Sequence, residues 1–410
     1  MLNRTGPSYL RGEPRMVFKA NTGGGAGTPT MTPQQANLLA RAAVVRQSVN
    51  MLQSIYSTTL NANIPGQTLN IPIKNVGLVK RLIVRVTATV QATGTTPSLT
   101  LSPFGPAQIF SNVVLTDLSN QTRINTGGWH LNGVASAKRR KIYGAAYTTD
   151  TPSGYGSNFG KVMAAPATIS TAPTSDNVFA EFEVPLAYTD EDLRGALYMN
   201  VTNANAYLQL TVNPNFAVAS TADDTFAVYK MGASSTYNIL SMTINVYQNY
   251  LDQLPLASNG GPVLPLLDLS TAYLLGTSPI GALVANQDVP IPYANFRDFM
   301  STFAIFDNAG TLNTGSDVNY WEIQSANFTA IQKTDPQLQA FLARQQFGDD
   351  PPAGVYYFDH RAKPISTIQY GNMALVLNAL SVSAGASLSM GYESLALINM
   401  ITQAGSLYGT

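Results

Sequence analysis

The chain has 410 residues, 45% of them apolar, no cysteine and a formal net charge of zero. Without cysteine, disulfides, thiol catalysis and Cys-ligated zinc are excluded. Charged residues make up only 11%, against about 25% in an average soluble domain, so much of the surface is expected to lie against other subunits. A membrane-spanning chain is not expected, because no run approaches the ~18 unbroken apolar residues that a spanning helix requires. The opening MLNRTGPSYLRGEPRM has no apolar core, so no secretory signal is expected. The length suits two domains.

The zero net charge hides an asymmetry. Residues 1–141 hold 15 Lys+Arg and only two acids, Glu13 and Asp117, a net of +13 that residues 142–410 balance. Two readings stay open: the basic part meets an anionic lipid or nucleic-acid surface, or the two parts neutralise each other within or between subunits.

Residues 1–31 read as a flexible basic arm with Arg4, Arg11, Arg15 and Lys19 and the run Gly23-Gly24-Gly25-Ala26-Gly27. A phosphate loop would need a preceding strand and a following Lys-Ser/Thr. Neither is present. An amphipathic helix is expected over 32–57. Thr32 suits its N-cap, Pro33 the first helical position, and Gln35 completes a capping box. Its stripe is Leu38, Ala42, Val45, Val49, Leu52 and Tyr56, and its charges are Arg41 and Arg46. That stripe packs on the core or a neighbouring subunit, or lies on a membrane surface.

From about residue 68 the apolar period changes to two. Leu82, Val84, Val86, Ala88 and Val90 alternate with Ile83, Arg85, Thr87 and Thr89. Val178–Val184, with Glu181 and Glu183 outward, Ala206–Val212 and Leu240–Val246 repeat the scheme. These are half-buried strands of antiparallel sheets. Asn259-Gly260-Gly261-Pro262 suits a linker. Strands resume at Asp288–Tyr293, Phe299–Phe306, Met373–Leu377 and Ala386–Tyr392, interrupted by a helix from Asp335-Pro336 to Gly348. The halves echo each other, with Asp117 to Trp129 matching Asp307 to Trp321, and Leu240–Met242 matching Leu388–Met390. That pattern fits a duplicated β-domain. The surplus of the first half is assigned to loops over 144–176 and 213–236.

Little in the chain suggests catalysis. His130 and His360 stand in different halves without a partner at ligand spacing, and read as structural. Thr189-Asp190-Glu191-Asp192 suggests calcium or acid chemistry at first sight, but reads better as a helix start. Asp349-Asp350-Pro351-Pro352 reads as a loop. The one dense basic run, Lys138-Arg139-Arg140-Lys141, is a candidate patch for nucleic acid or lipid headgroups, or else a solvated loop or subunit contact. It lacks interleaved aromatics, so specific nucleic-acid binding is not expected.

Particular segments then narrow the field. Phe104-Gly105-Pro106-Ala107, Gly128-Trp129-His130 and Pro185-Leu186-Ala187-Tyr188 resemble parts of the tectivirus major capsid protein family. Tyr250–Pro255, Leu266–Thr271, Phe306–Asn308, Gly354–Tyr357, Gln369–Asn372 and Met390–Glu393 continue the resemblance in order. The family belongs to icosahedral bacteriophages with an internal membrane. The resemblance implies an all-β double jelly roll with an N-terminal helix, and no enzyme activity or cofactor. It implies a homotrimer of roughly hexagonal outline that tiles the virion shell, made in the host cytoplasm. The implied partners are neighbouring trimers, the internal membrane or its proteins, and vertex (penton) and minor capsid proteins. The boundaries expected are an arm at 1–31, the helix at 32–57, a first roll at 58–252, a linker at 253–264, a second roll at 265–402 and a tail at 403–410. The arm extends beyond the family pattern. Arg4, Arg11, Arg15, Lys19, Arg41 and Arg46 are the candidate membrane-facing residues. A glycan- or receptor-binding β-sandwich is the alternative, with the tyrosines of 143–155 as its candidate contacts.

Overall fold

The computed structural model describes residues 32–139, 163–170, 175–201, 205–255, 270–280, 283–310, 312, 315–325, 328–347 and 353–398. Sixteen principal strands form two sandwiches. In the first they are β1 (Val49–Leu60), β2 (Thr68–Pro72), β3 (Leu78–Gly94), β4 (Phe110–Thr116), β5 (Thr122–Thr126), β6 (Ser175–Pro185), β7 (Tyr207–Val212) and β8 (Ser235–Asp252). In the second they are β9 (Thr271–Ile280), β10 (Asp288–Pro292), β11 (Asp298–Asp307), β12 (Val318–Ser325), β13 (Phe328–Thr334), β14 (Val355–Asp359), β15 (Met373–Ala379) and β16 (Ser387–Leu397).

Pairing in the first sandwich runs β1-β8-β3-β6 and β2-β7-β4-β5. In the second it runs β9-β16-β11-β14 and β10-β15-β12-β13. Each strand thus has its counterpart eight places on, and each sandwich is an eight-stranded jelly roll. Helices sit at matching places too. α2 (Gly128–Arg139) follows β5, and α3 (Pro336–Phe347) follows β13. The two rolls are joined edge to edge. β5 pairs in parallel with β9, Ile124 against Leu275, so one sheet runs through both.

The alternation seen in sequence positions the first core. Leu82, Val84, Val86, Ala88 and Val90 on β3 are buried, as are Val178, Ala180, Phe182 and Val184 on β6. The same cluster takes in Tyr273, Met300, Phe303 and Tyr357 from the second roll, so the seam is apolar and continuous with the core. Trp321, Phe306, Phe358 and Leu375 belong to the second roll's own core.

Several expectations are corrected. The N-terminal helix α1 runs from Pro33 to Gln47, not to residue 57, and residues from Val49 on form β1 of the first roll. Its start is as expected, with both bonds of the Thr32/Gln35 capping box formed. Its end is set by tertiary pairing: Ser48 is extended, and Val49–Leu60 finds hydrogen-bond partners along β8. The buried face is therefore Ala40, Ala43 and Val44, while Leu38, Val49 and Leu52 are exposed. On β8, Leu240 is exposed because a bulge between Ile239 and Ser241 reverses the inward parity, after which Met242, Ile244 and Val246 point in.

The stretch 213–236 is not simply loop. Ala217–Val218 and Tyr229–Met231 join Leu99–Leu101 and Thr168–Ile169 in a small sheet. Thr189–Asp192 forms a turn, not a helix start; Asp192 N–H donates to Thr189 Oγ1 at 2.8 Å. The strand pairing also redraws the echo. Leu240–Met242 and Leu388–Met390 do lie on counterpart strands, β8 and β16. Asp117 follows β4 whereas Asp307 ends β11, and Trp129 lies on α2 whereas Trp321 lies on β12, so those pairs are not counterparts. The linker core 259–262, the run Asp349–Pro352, most of 144–176 and the tail 403–410 lie outside the described residues.

Candidate functional site, the seam between the rolls

α2 is wedged between the two rolls, and small residues let it in. His130 is fully buried, edge-on to Phe303 of β11 with ring centroids 5.7 Å apart. A Cβ on Gly391 of β16 would lie 2.6 Å from its Cγ and 2.8 Å from its Nε2. Phe303 also abuts Gly133, one turn further along. His130 Nδ1 is 2.8 Å from Thr126 Oγ1, and Nε2 finds no partner among the described residues. Burial drives its pKa down to about 3, so the ring is neutral. His360 behaves alike: burial lowers its pKa to about 4, with Asp359 opposing. Both histidines are packing elements.

The C-terminal end of α2 carries the seam's polar contacts. Glu393 of β16 is almost wholly buried. It accepts from Tyr273 Oη at 2.7 Å and Ser301 Oγ at 2.7 Å, and Lys138 Nζ lies 3.5 Å away. Lys138 also donates to the Tyr188 carbonyl at 2.9 Å. Arg361 donates to Asp359 at 3.0 Å and to Tyr357 Oη at 2.7 Å, and reaches the Ala137 carbonyl at 3.4 Å. Lys138 is therefore no surface patch. It lies on a helix and points into the seam, where a buried carboxylate needs a cation. Arg139 ends that helix, and Arg140 and Lys141 lie outside the described residues.

Beside this cluster is a cleft of about 330 Å³ whose walls include Lys80, Arg81, Lys138, Tyr188, Asp190 and Arg361. Its cations are all paired: Lys80 with Asp190 at 3.2 Å, Arg81 with Glu183 at 3.1 Å, Lys138 and Arg361 as above. Among the described residues no group of three or more His, Cys, Asp or Glu could hold a metal.

Among the described residues, most cations of the basic N-terminal region are paired in the same way. Arg41 of α1 binds Asp192 at 2.9 Å, and Arg85 binds Glu181 at 3.1 Å. Arg123 binds Asp117 at 2.7 Å inside the protein. Burial works against the Asp192 carboxylate, but hydrogen bonds from Arg194 and the charges of Arg194 and Arg41 hold its pKa below the usual value. Of the candidate membrane-facing residues, Arg41 is thus engaged, Arg46 is exposed, and Arg4, Arg11, Arg15 and Lys19 lie outside the described residues. Sequence reasoning missed Glu393, Tyr273 and Ser301, because nothing in a strand's pattern says that its polar residues will meet another domain.

A second acidic contact joins the rolls. Asp307, at the end of β11, is buried and accepts from Gly310 N–H at 2.9 Å. Its neighbours are the carboxyl of Asp223 and the side chain of Thr225, both from the β7–β8 loop. Burial and the Asp223 carboxyl raise the Asp307 pKa to about 6.

Two sandwiches with one strand scheme, fused through a continuous sheet, define the double-jelly-roll class of capsid proteins. The chain is similar in fold to the STIV major capsid protein, from Sulfolobus Turreted Icosahedral Virus, with a TM-score of 0.59 and 13% identity over 85% of this chain and 97% of that one. It is similar also to the PBCV-1 virus capsid protein, with a TM-score of 0.51 and 12% identity over 86% and 96%. Family models for the P3 major capsid protein match in both halves, the N-terminal one over residues 26–254 and the C-terminal one over 270–408. The major capsid protein P3 of Enterobacteria phage PRD1 is 39% identical over 378 residues, 92% of this chain and 94% of that protein. The chain belongs to the P3 major capsid protein family. Its role is structural, in the virion shell, and not enzymatic.

Proposed function

We propose that the chain works as a homotrimeric capsomer. Three copies supply six rolls, give a roughly hexagonal outline, and tile an icosahedral shell around an internal membrane. The observation that carries this reading is the duplication itself: two rolls of one design side by side are one third of a six-part ring. The low charge content supports it, since surface buried between subunits needs no charge. The inner side is assigned to α1, where exposed Leu38 and Leu39 stand with Arg46 and where the basic arm begins. Membrane proteins of the inner face and vertex and minor capsid proteins are the further partners of this reading.

The test is light scattering on purified protein at micromolar concentration, with negative-stain microscopy. A stable trimer and hexagonal outlines are expected, and a monomer overturns the reading. For the inner face, full-length protein is expected to float with anionic liposomes more than protein lacking residues 1–47, a deletion that keeps β1 whole. Equal flotation removes the membrane contact.

A further inference from the structure

At the N-terminal end of α2, away from Lys138, the seam opens into a second cleft, of about 410 Å³. That size lies in the range that holds a small molecule. The first roll supplies Trp129 and Phe226, with the amide of Gln108 and the hydroxyl of Ser111. The second supplies the hydroxyls of Thr277 on β9 and Ser389 on β16. No charged side chain is among the described residues of this wall. The cleft at the other end of α2 differs sharply, with Lys80, Arg81, Lys138 and Arg361 in its walls.

The wall is held in one shape before anything binds. Asn213 is buried and ties three pieces of it together. Its Nδ2 donates to the carbonyls of Gln108 and Phe226, each at 2.8 Å, and its Oδ1 accepts from Asn215 N–H at 2.9 Å. Trp129 is half-buried and meets Phe226 edge-on, with ring centroids 6.5 Å apart. Gly127 makes room for the indole: a Cβ there would lie 3.0 Å from Cδ1 and 3.1 Å from Nε1 of Trp129. The indole is thus fixed on one side and partly open on the other. Gln108 is only 2% exposed, and its Nε2 has no hydrogen-bond partner among the described residues. A buried amide donor without an acceptor is costly, and a ligand oxygen in the cleft removes that cost.

We propose that this cleft binds a neutral hexopyranose, the terminal ring of a glycan chain. A pyranose has an apolar C–H face and a rim of hydroxyls that both donate and accept. The aromatic corner of Trp129 and Phe226 takes the face. Gln108 donates to the rim, and the hydroxyls of Ser111, Thr277 and Ser389 donate or accept as the rim requires. A carboxylate or phosphate on the sugar would lose its water with no cation to replace it, so the site selects neutral rings. Both rolls contribute, so the site exists only in the joined chain.

Saturation-transfer difference NMR on the full-length protein tests this with four probes, the methyl pyranosides of glucose, galactose, mannose and N-acetylglucosamine, at millimolar concentration. Sorbitol serves as a polyol without a ring face. The expected result is signal from the ring protons of at least one probe, none from sorbitol, and loss of the signal in Ser111→Arg. Ser111 is exposed, so the arginine fills the cleft without entering the core. No signal from any of the four probes, equal signal from sorbitol, or signal unchanged in Ser111→Arg overturns the inference.

Tryptophan emission covers the case in which Ser111→Arg misfolds. The chain has two tryptophans, and Trp321 is fully buried in the second roll's core, so Trp129 is the one that acrylamide reaches. In wild-type protein the probe that gives NMR signal is expected to protect this emission from acrylamide quenching, saturably, while sorbitol does not. Quenching that the probe leaves unchanged overturns the inference.

Discussion

Gly391→Ala tests how tightly the two rolls are fitted. The new Cβ would sit 2.6 Å and 2.8 Å from imidazole atoms of His130, where ordinary contacts begin near 3.4 Å. One side must retreat by several tenths of an ångström or more. β16 cannot retreat easily, because Gly391 is paired on both sides, with Thr277 of β9 and Phe303 of β11. His130 is fully buried, tied to Thr126 and flanked by Phe303. Overpacking of this kind costs about 1–3 kcal/mol. Replacing glycine returns about 0.4–1 kcal/mol through the unfolded chain, so a net loss of about 1 kcal/mol is expected. His130→Ala opens a hole and costs about 2–5 kcal/mol by itself. The double variant removes the clash, so its loss should fall short of the sum by at least about 1 kcal/mol. Denaturant titration at one protein concentration measures all four corners of this cycle. Losses that add within about 0.5 kcal/mol would refute the close fit of α2 against β16.

Asp307→Asn should flatten part of the pH dependence of stability. The folded carboxyl titrates near 6 and the unfolded one near 4, so between them only the folded state holds the proton and stability falls as pH rises, by up to about tenfold per pH unit in the folding constant. The buried histidines act oppositely, so the quantity to compare is wild type minus variant, from denaturant midpoints at pH 4.5 and 7; an unchanged difference removes the acid pair from the account. Lys138→Met leaves Glu393 with two hydroxyl donors but no cation and should cost about 2–3 kcal/mol. Thermal unfolding reads this loss, and Glu393→Gln in the same chain should recover part of it; a loss under about 0.5 kcal/mol means that the ion pair adds nothing to the seam.

The strands of the two rolls were legible because one face of each meets a core and the other does not. Val84 and Arg85 need nothing beyond their own neighbours to be told apart. The end of α1 was not legible. Val49, Leu52 and Tyr56 continue a helical spacing by coincidence, and what makes them strand is pairing with residues about two hundred places away. Leu240 was misread for a similar reason, since a bulge changes parity without changing composition. The charge asymmetry had two readings, and the described residues favour mutual neutralisation: Arg41, Lys80, Arg81 and Lys138 all face acids from beyond residue 141. Lys138 illustrates the limit most clearly. Within its basic run it looked like a surface residue, and only the second roll, folded against α2, supplies the buried acid that explains it.

The parallel pairing of β5 with β9 bears on how the chain is made. On a ribosome, Ile124 emerges 151 residues before its partner Leu275, and β1 waits still longer for β8. Contacts so distant in sequence form slowly, and during synthesis β5 presents an open strand edge of the kind that recruits other chains. A half-made first roll therefore already displays the surface by which rolls join. Nascent copies crowded on one message could pair with each other there before their own second rolls arrive. The seam that unites the finished subunit is, during translation, the place where it is most exposed to misassembly.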